Sequence, residues 1–283
     1  MVNSPISPTW RGPRFRSWTK NFLLFVGFIF LGEGRLSYLT PVIWGFALFS
    51  LGATTGYALN DLADAQGDKS HPLHTRRRRS LVTAIPFPIL LVGGIIFGLR
   101  TEMVSPLMAG LVVGYLLLSV LYTHFFKKIP LLELLILATL FLLRVLAGTW
   151  GVGIPPSSWL VIAAFLMALL LGVGKRLAER RRGLEGFSFR PVLNEYPESF
   201  LLGMTRMLVG LNFLVYLLYA VDHPERDLLF LLSTLPFVAY GLFRYLLIVE
   251  TREDAPSPEA LLLSDKPSLL NLALWLLVVW STL

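Results

Sequence analysis

Three aspartates follow the second long apolar segment of the chain at a spacing typical of one helix face. Asp61, Asp64 and Asp68 advance by three and then four residues within the stretch NDLADAQGDKSHP. Such positions lie on one side of an α-helix over two turns. Three carboxylates this close repel one another unless a cation binds between them, and oxygen ligands alone favour a hard ion such as Mg²⁺ together with ligand phosphates. The spacing predicts a magnesium and phosphate site, to which Asn60 adds a neutral oxygen or donor.

A solvated helix end and a calcium loop are weaker interpretations of the acidic stretch. A solvated helix end, balanced by the basic run at 76–79, would suit a generic group of charges. These acids, however, emerge directly from an apolar helix, where carboxylates are costly unless they are paired or functional. An EF-hand calcium loop needs alternating ligands, a central glycine and a glutamate at its twelfth position, which residues 61–72 do not supply. The metal site remains the favoured interpretation.

The elements that must position these acids are apolar helices. The 283 residues are 55% hydrophobic and 15% charged, with a mean hydropathy of +0.66. A bilayer crossing needs about 20 apolar residues. Nine such segments predict an all-α integral membrane protein with one polytopic domain over 1–283: 20–36, 38–59, 81–99, 104–123, 129–149, 157–174, 199–221, 227–249 and 267–283. The absence of cysteine excludes disulfides, a thiolate nucleophile and a cysteine-ligated metal site.

The basic residues predict the orientation of these segments. With nine crossings, 19 of the 25 lysines and arginines fall on one side of the membrane. The positive-inside rule makes that side cytoplasmic. It holds the basic tail at 1–19 and two active-site loops, at 60–80 and 175–198. The net charge of +7 is therefore mainly a topology signal of a multi-pass cell (inner) membrane protein, and nucleic acid is not a predicted partner.

The acidic stretch also carries a family resemblance. NDLADAQGD resembles the NDxxDxxxD motif of the UbiA superfamily of intramembrane prenyltransferases, with all four named positions matched. The resemblance implies nine transmembrane helices around a central cavity, in which this motif holds Mg²⁺ and a diphosphate.

A second feature indicates the branch of that family. Ordinary members carry a second acidic motif, DxxxD, after helix 6, but no aspartate lies between Asp68 and Asp222 here. The corresponding loop begins GKRLAERRR and supplies Lys175, Arg176 and Glu179. This pattern is similar to the decaprenyl-phosphate phosphoribosyltransferase branch, which transfers 5-phosphoribose from phosphoribosyl diphosphate to a lipid phosphate.

Further segments support the same branch, with one departure. The supporting stretches are SWTKN at 17–21, YTHFFKKIPLLE at 122–133, LLRVLAGT at 142–149, NEYPESFL at 194–201 and PFVAYGLFRYLLIVE at 236–250. Family members continue the aspartate motif with a pattern like HPxKxRPIAxG. Here HPLHTRRRRSLVTAI replaces the proline of that pattern with Ser80.

The resemblance implies roles for further residues, several of which have a structural alternative. Asp61, Asp64 and Asp68 are the expected metal-binding and catalytic residues. The expected substrate-binding residues are Lys20, Asn60, Arg77, Arg79, Tyr122, Lys127, Lys175, Arg176 and Glu179. Tyr122 and Lys127 equally suit interfacial anchoring, and Lys20 suits a topology anchor.

The run at 76–79 suits lipid headgroups, with Arg77 or Arg79 facing the site. Two arginines inside membrane segments, Arg144 and Arg244, need partners. Glu133 and Glu250 are the candidate acceptors.

The predicted function follows from these features, with Mg²⁺ as cofactor. Phosphoribosyl diphosphate and a polyprenyl phosphate are the predicted substrates, the bilayer is the predicted environment, and a homo-oligomer stays open. The alternative is a UbiA-type transferase that uses a prenyl diphosphate and an aromatic or lipid acceptor. A transporter would place its site near the bilayer midplane between related halves. A membrane scaffold would not need three carboxylates on one helix face.

Overall fold

Helix is the only regular secondary structure in the part of the chain that the computed structural model describes, residues 15–29, 35–67, 85–181, 191–222, 228–251 and 264–281. A 3₁₀ helix over Phe15–Leu24 precedes the first α-helix. The α-helices within these ranges are α1 Phe25–Ile29, α2 Arg35–Gly67, α3 Pro86–Arg100, α4 Pro106–His124, α5 Leu132–Gly148, α6 Ser158–Arg181, α7 Glu198–Asp222, α8 Leu228–Thr251 and α9 Lys266–Ser281.

Local sequence explains where several of these helices begin. The Ser105 side chain accepts a hydrogen bond from the Met108 amide at 3.0 Å, and Pro106 occupies the first turn of α4. Ser157 caps α6 in the same way through the Leu160 amide. A side-chain acceptor satisfies an amide that has no partner in the first helical turn, and proline there loses no hydrogen bond.

The structure confirms an all-helical membrane protein. Five helices in the described ranges are long and apolar enough to cross a bilayer: Leu36–Leu59, Pro106–His124, Leu132–Val152, Ser158–Arg181 and Glu198–Asp222. The helices Pro86–Arg100 and Lys266–Val279 are apolar but shorter. The exact number of nine crossings remains a prediction.

The first predicted segment, 20–36, differs most from expectation. Its start is a 3₁₀ helix that gives way to the five-residue α1. Polar contacts hold this segment against the bundle: Trp18 Nε1 donates to Thr54 Oγ1 at 3.1 Å, and Asn21 Nδ2 donates to Ser50 Oγ at 3.0 Å. These hydrogen bonds attach the start of the segment to α2. Hydropathy alone does not predict that the backbone there is a 3₁₀ helix.

Both predicted cytoplasmic loops begin as helix. α2 continues to Gly67 and α6 to Arg181, so the first residues of the 60–80 and 175–198 loops extend these helices. The extensions read LADAQ and LAERR, which are largely good helix formers. A helix that leaves the apolar core can continue because its backbone hydrogen bonds are internal.

Several helix ends meet on one side of the bundle, which we call the motif end. Arg181 at the end of α6 donates from Nε to Glu198 at the start of α7, at 2.7 Å, and from Nη1 to the Val249 carbonyl of α8. The Leu131 amide before α5 donates to the Tyr196 hydroxyl before α7. The motif end therefore contains the ends of α6 and α8 and the starts of α5 and α7.

The fifth helix joins the two hydrophobic cores of the protein. One core includes Leu48, Val112 and Leu140 from α2, α4 and α5, and the other includes Ala138 of α5 with residues of α6, α7 and α8. Close packing also fixes the end of α5, because a side chain at Gly148 would overlap the backbone of Leu24.

We expect Gly148→Ala to destabilise the protein by about 1–3 kcal/mol, because an added methyl forces tightly packed backbones apart. Thermal unfolding in detergent would show this as a lower midpoint. Gly210→Ala in α7 is the matched control, since no described atom lies within 4 Å of the position that its added methyl would take. Equal midpoints for the two variants would contradict the packing argument.

Candidate active site

A buried ion pair between α5 and α6 lies at the motif end. Arg176 donates from Nε to Glu133 Oε1 at 2.6 Å and from Nη2 to Glu133 Oε2 at 2.5 Å. The side chains are 1% and 0% exposed. Two parallel charge-assisted hydrogen bonds are the geometry in which arginine binds a carboxylate most strongly. This geometry offsets the cost of burying both charges.

Arg176 also has a second carboxylate partner. Its Nη1 donates to Glu179 Oε2 at 2.9 Å, one turn further along α6. The Tyr122 hydroxyl of α4 lies 3.3 Å from Glu133 Oε2 and 3.4 Å from Arg176 Nη2. The cluster of Tyr122, Glu133, Arg176 and Glu179 therefore connects three helices, and we call it the arginine cluster.

The backbone before Glu133 is held in an unusual conformation. Leu131 has φ of 64°, in the left-handed region that a bulky residue rarely adopts. Its amide donates to the Tyr196 hydroxyl at 2.6 Å. Burial raises the pKa of the Tyr196 hydroxyl further above neutrality. Tertiary contact thus holds the turn that directs Glu133 into the bundle.

The position of the acidic motif can be located through α2 and α4. Three glycines of α2 lie against residues of α4 that are each 63 positions further along the chain: Gly45 against Met108, Gly52 against Tyr115 and Gly56 against Ser119. The two helices therefore run in the same direction at a constant offset. At that offset Leu59 is level with Tyr122, so the acidic motif begins at the depth of the arginine cluster.

The described residues include only part of that motif. The backbone at Asn60, Asp61 and Asp64 is helical, as their spacing predicts, because α2 continues to Gly67. The side chains of residues 60–67 lie outside the described part of the structure. So do Asp68, Arg77 and Arg79, and their predicted roles stay predictions.

Two predicted lysines lie on 3₁₀ segments. Lys20 is on the helix Phe15–Leu24, and its Nζ lies 5.4 Å from the centre of the Phe141 ring of α5. Lys127 is half-buried in the turn Phe126–Lys128 between α4 and α5. Lys175 is half-buried beside Arg176. α5 and the turn before it thus border Lys20 and Lys127.

The intramembrane arginines have partners other than those expected. Arg144 bonds to neutral groups: Nε to Asn21 Oδ1 at 2.9 Å, and Nη2 to the Tyr115 hydroxyl at 2.8 Å. Its carbon Cζ also lies 4.6 Å from the centre of the Tyr115 ring, a cation–π contact. Arg244 pairs with Asp265 at 2.9 Å. The expected acceptors, Glu133 and Glu250, instead bind Arg176 and Arg206.

Glu133 is the site residue whose ion-pair partner the sequence predicted wrongly. Hydropathy marks it as a carboxylate at the start of an apolar segment, which is a signal for a paired or functional group. Its partner could not be read from the sequence, because Arg144 is eleven residues away on the same helix while Arg176 is 43 residues away. Only the packing of α5 against α6 decides between them.

Comparison with known proteins identifies the family. The profile of the UbiA prenyltransferase family matches residues 21–275. The chain belongs to this family. It is therefore a transferase of the bilayer, and the resemblance carried by NDLADAQGD is confirmed.

Relatives in the family support the same assignment. The chain is 28% identical to a decaprenyl-phosphate phosphoribosyltransferase of Mycobacterium tuberculosis, over 94% of this chain and 91% of that protein. It is 26% identical to a protein of the same name from Corynebacterium glutamicum, over 89% and 80%. Its fold matches a UbiA homolog from Archaeoglobus fulgidus bound to GPP and Mg²⁺, with a TM-score of 0.66, 17% identity and coverage of 95% and 96%.

We expect Glu133→Gln to lower the stability of the folded protein by about 3–5 kcal/mol, because it leaves a buried guanidinium without its closest negative charge. Glu198→Gln is the control. It removes a carboxylate from another arginine pair at the motif end, but Glu198 is 51% exposed and such pairs contribute about 0–1 kcal/mol. Thermal unfolding of both variants in detergent is the measurement, and similar midpoints would contradict a structural role for the buried pair.

Proposed function

We propose that this family member transfers 5-phosphoribose from phosphoribosyl diphosphate to a polyprenyl phosphate and releases pyrophosphate. The observation that carries the proposal is the basic end of α6. Lys175 and the buried Arg176 occupy the region where the resemblance expects a second acidic motif in prenyl-diphosphate users. Within the described ranges, no three His, Cys, Asp or Glu residues form a metal site. The likeness to relatives named for this activity supports the same proposal.

The acidic motif is the proposed binding site for the pyrophosphate. Asn60, Asp61, Asp64 and Asp68 offer carboxylate and amide groups, which favour a hard ion such as Mg²⁺. Bound Mg²⁺ would neutralise the charge that builds on the leaving pyrophosphate. The helical backbone of α2 supports the three-residue step from Asp61 to Asp64 that places both on one side.

The basic residues near the end of α6 are proposed to bind the other two phosphates, those of the lipid and of the ribose. A lipid phosphate and a ribose 5-phosphate would repel a second set of acids but are attracted to fixed cations. Lys175 and Arg176 are the proposed ligands at the end of α6, with Lys20 and Lys127 on adjoining segments. Tyr122 and Glu179 complete the site through the arginine cluster. Arg77 or Arg79 is proposed to reach the same phosphates.

The proposed reaction is a substitution at the anomeric carbon. An oxygen of the lipid phosphate forms the new bond to that carbon, and the bond to pyrophosphate breaks. The attacking group is already an anion at neutral pH, because the second pKa of a phosphate monoester is about 6. No strong general base is needed, and alignment of the two substrates supplies most of the acceleration. In-line attack inverts the α-configured donor to a β-linked product.

A prenyl-diphosphate transferase with an aromatic or lipid acceptor is the second candidate, since it is the activity that names the family. It would use the same acidic motif for its leaving group. The basic end of α6 disfavours it. The proposed site faces the cytoplasm in both cases, because the motif end joins the loops that carry most of the basic residues.

The donor decides between the two candidates. We expect purified protein with Mg²⁺ and a polyprenyl phosphate to move label from phosphoribosyl diphosphate into the lipid phase, as a β-linked product. Label transfer is read by extraction, and the anomeric configuration by NMR of the product. Release of pyrophosphate from a prenyl diphosphate, with none from phosphoribosyl diphosphate, would support the second candidate instead. A product with retained configuration would contradict in-line attack.

The acidic motif should be essential to turnover and not to folding. We expect Asp61→Ala to lower kcat by at least about 10²–10³-fold, because it removes a group that stabilises charge on the leaving pyrophosphate. Asp222→Ala is the control: it is an exposed aspartate at the opposite end of α7, bonded to Trp159. Both variants should elute from size exclusion like the parent protein. Comparable turnover by the two variants would contradict the assignment.

A further inference from the structure

The guanidinium of Arg176 has two edges with different surroundings. Nε and Nη2 face Glu133, which is fully buried and accepts two hydrogen bonds from Arg176. Nη1 faces Glu179, which accepts one hydrogen bond and is 22% exposed. Among the described residues, that single bond is the contact that holds the Glu179 carboxylate.

The two carboxylates are therefore held with unequal strength. Glu133 cannot leave without exposing two buried charges to an apolar environment, which is costly. Glu179 makes a one-point contact within its own helix, and water competes for its 22% exposed carboxylate but not for the buried guanidinium, so this contact is weaker than the two-point pair. A competing anion would displace Glu179 and leave the Glu133 pair intact.

The charges of the arginine cluster favour such a competitor. Because Glu133 already balances Arg176, Glu179 adds an excess negative charge beside Nη1, and its displacement would move that charge away from the site. A phosphate presents oxygen acceptors to arginine as a carboxylate does, with a larger charge of about −1.5 to −2. A phosphate oxygen is therefore a suitable competitor for the same Nη1 donor.

We infer that the Glu179 carboxylate occupies the position of a ligand phosphate at Nη1 of Arg176. The phosphate displaces this carboxylate when the ligand binds. Before binding, the carboxylate keeps the Nη1 edge of the guanidinium paired. After binding, the phosphate takes over the same donor. Glu179 thus acts through Arg176 as a positioning and specificity residue, because a ligand without a phosphate has nothing that displaces it.

The inference rests on the proposed function in one respect, that the ligand at the motif end carries phosphate. It can be tested without turnover. The probe is inorganic pyrophosphate, titrated into purified protein in EDTA by calorimetry, so that the acidic motif contributes no metal. We expect Glu179→Gln to bind pyrophosphate about two- to five-fold more tightly than the parent, the range given by loss of one weak competing ion pair. Glu179→Asp, which keeps the charge, should bind like the parent.

Two further variants distinguish displacement of Glu179 from the general effect of removing a negative charge at the motif end. Glu198→Gln removes a negative charge from the motif end without touching Arg176, and should leave the affinity unchanged. Arg176→Lys keeps the positive charge beside Glu133 but lacks Nη1, so adding Glu179→Gln to it should give no gain. Equal or weaker binding by Glu179→Gln, or equal tightening by Glu198→Gln, would overturn the inference. Failure of label transfer from phosphoribosyl diphosphate would count against the proposed function alone.

Discussion

A charged pair buried between membrane helices constrains the rest of this structure. Arg176 and Glu133 are almost inaccessible, and each would be prohibitively costly alone in an apolar environment. Their two-point geometry requires a fixed distance and rotation between α5 and α6. It also requires the turn before α5 to hold Glu133 in place, which the Tyr196 hydroxyl does through the Leu131 amide. This polar interaction therefore fixes the relative positions of α5 and α6, which apolar side chains alone would specify poorly.

The helix α5 carries a second charge that complements the first. Arg144 lies eleven residues after Glu133, three turns along the same face, and ties α5 to the 3₁₀ segment through Asn21. A tyrosine of α4 meets each of the two charges, Tyr115 at Arg144 and Tyr122 near Glu133. One face of α5 thus connects the first helices to α6. Apolar residues of the same helix belong to both hydrophobic cores.

The same arrangement separates two tasks in the proposed reaction. Acids at the end of α2 would hold the leaving group, while cations at the end of α6 would hold the remaining phosphates. The common depth of Leu59 and Tyr122 brings these two helix ends to one level of the membrane. A pairing of acids with cations across the bundle suits two phosphorylated substrates, since acids on both sides would repel the second one.

Hydropathy and spacing by themselves determined the class of the protein, most helix positions and the acidic motif, because each depends on residues close together in the chain. The step from Asp61 to Asp64 needed only a helix, and α2 supplies one. The partners of buried charges were decided by tertiary structure. The closest partner of Arg176 in the folded chain is Glu133, which lies 43 residues away in the sequence on another helix. Hydropathy also missed the 3₁₀ start of the first segment. The physical reason is the same in both cases: a buried polar group is satisfied by whichever group packing brings near, and that group is distant in the sequence.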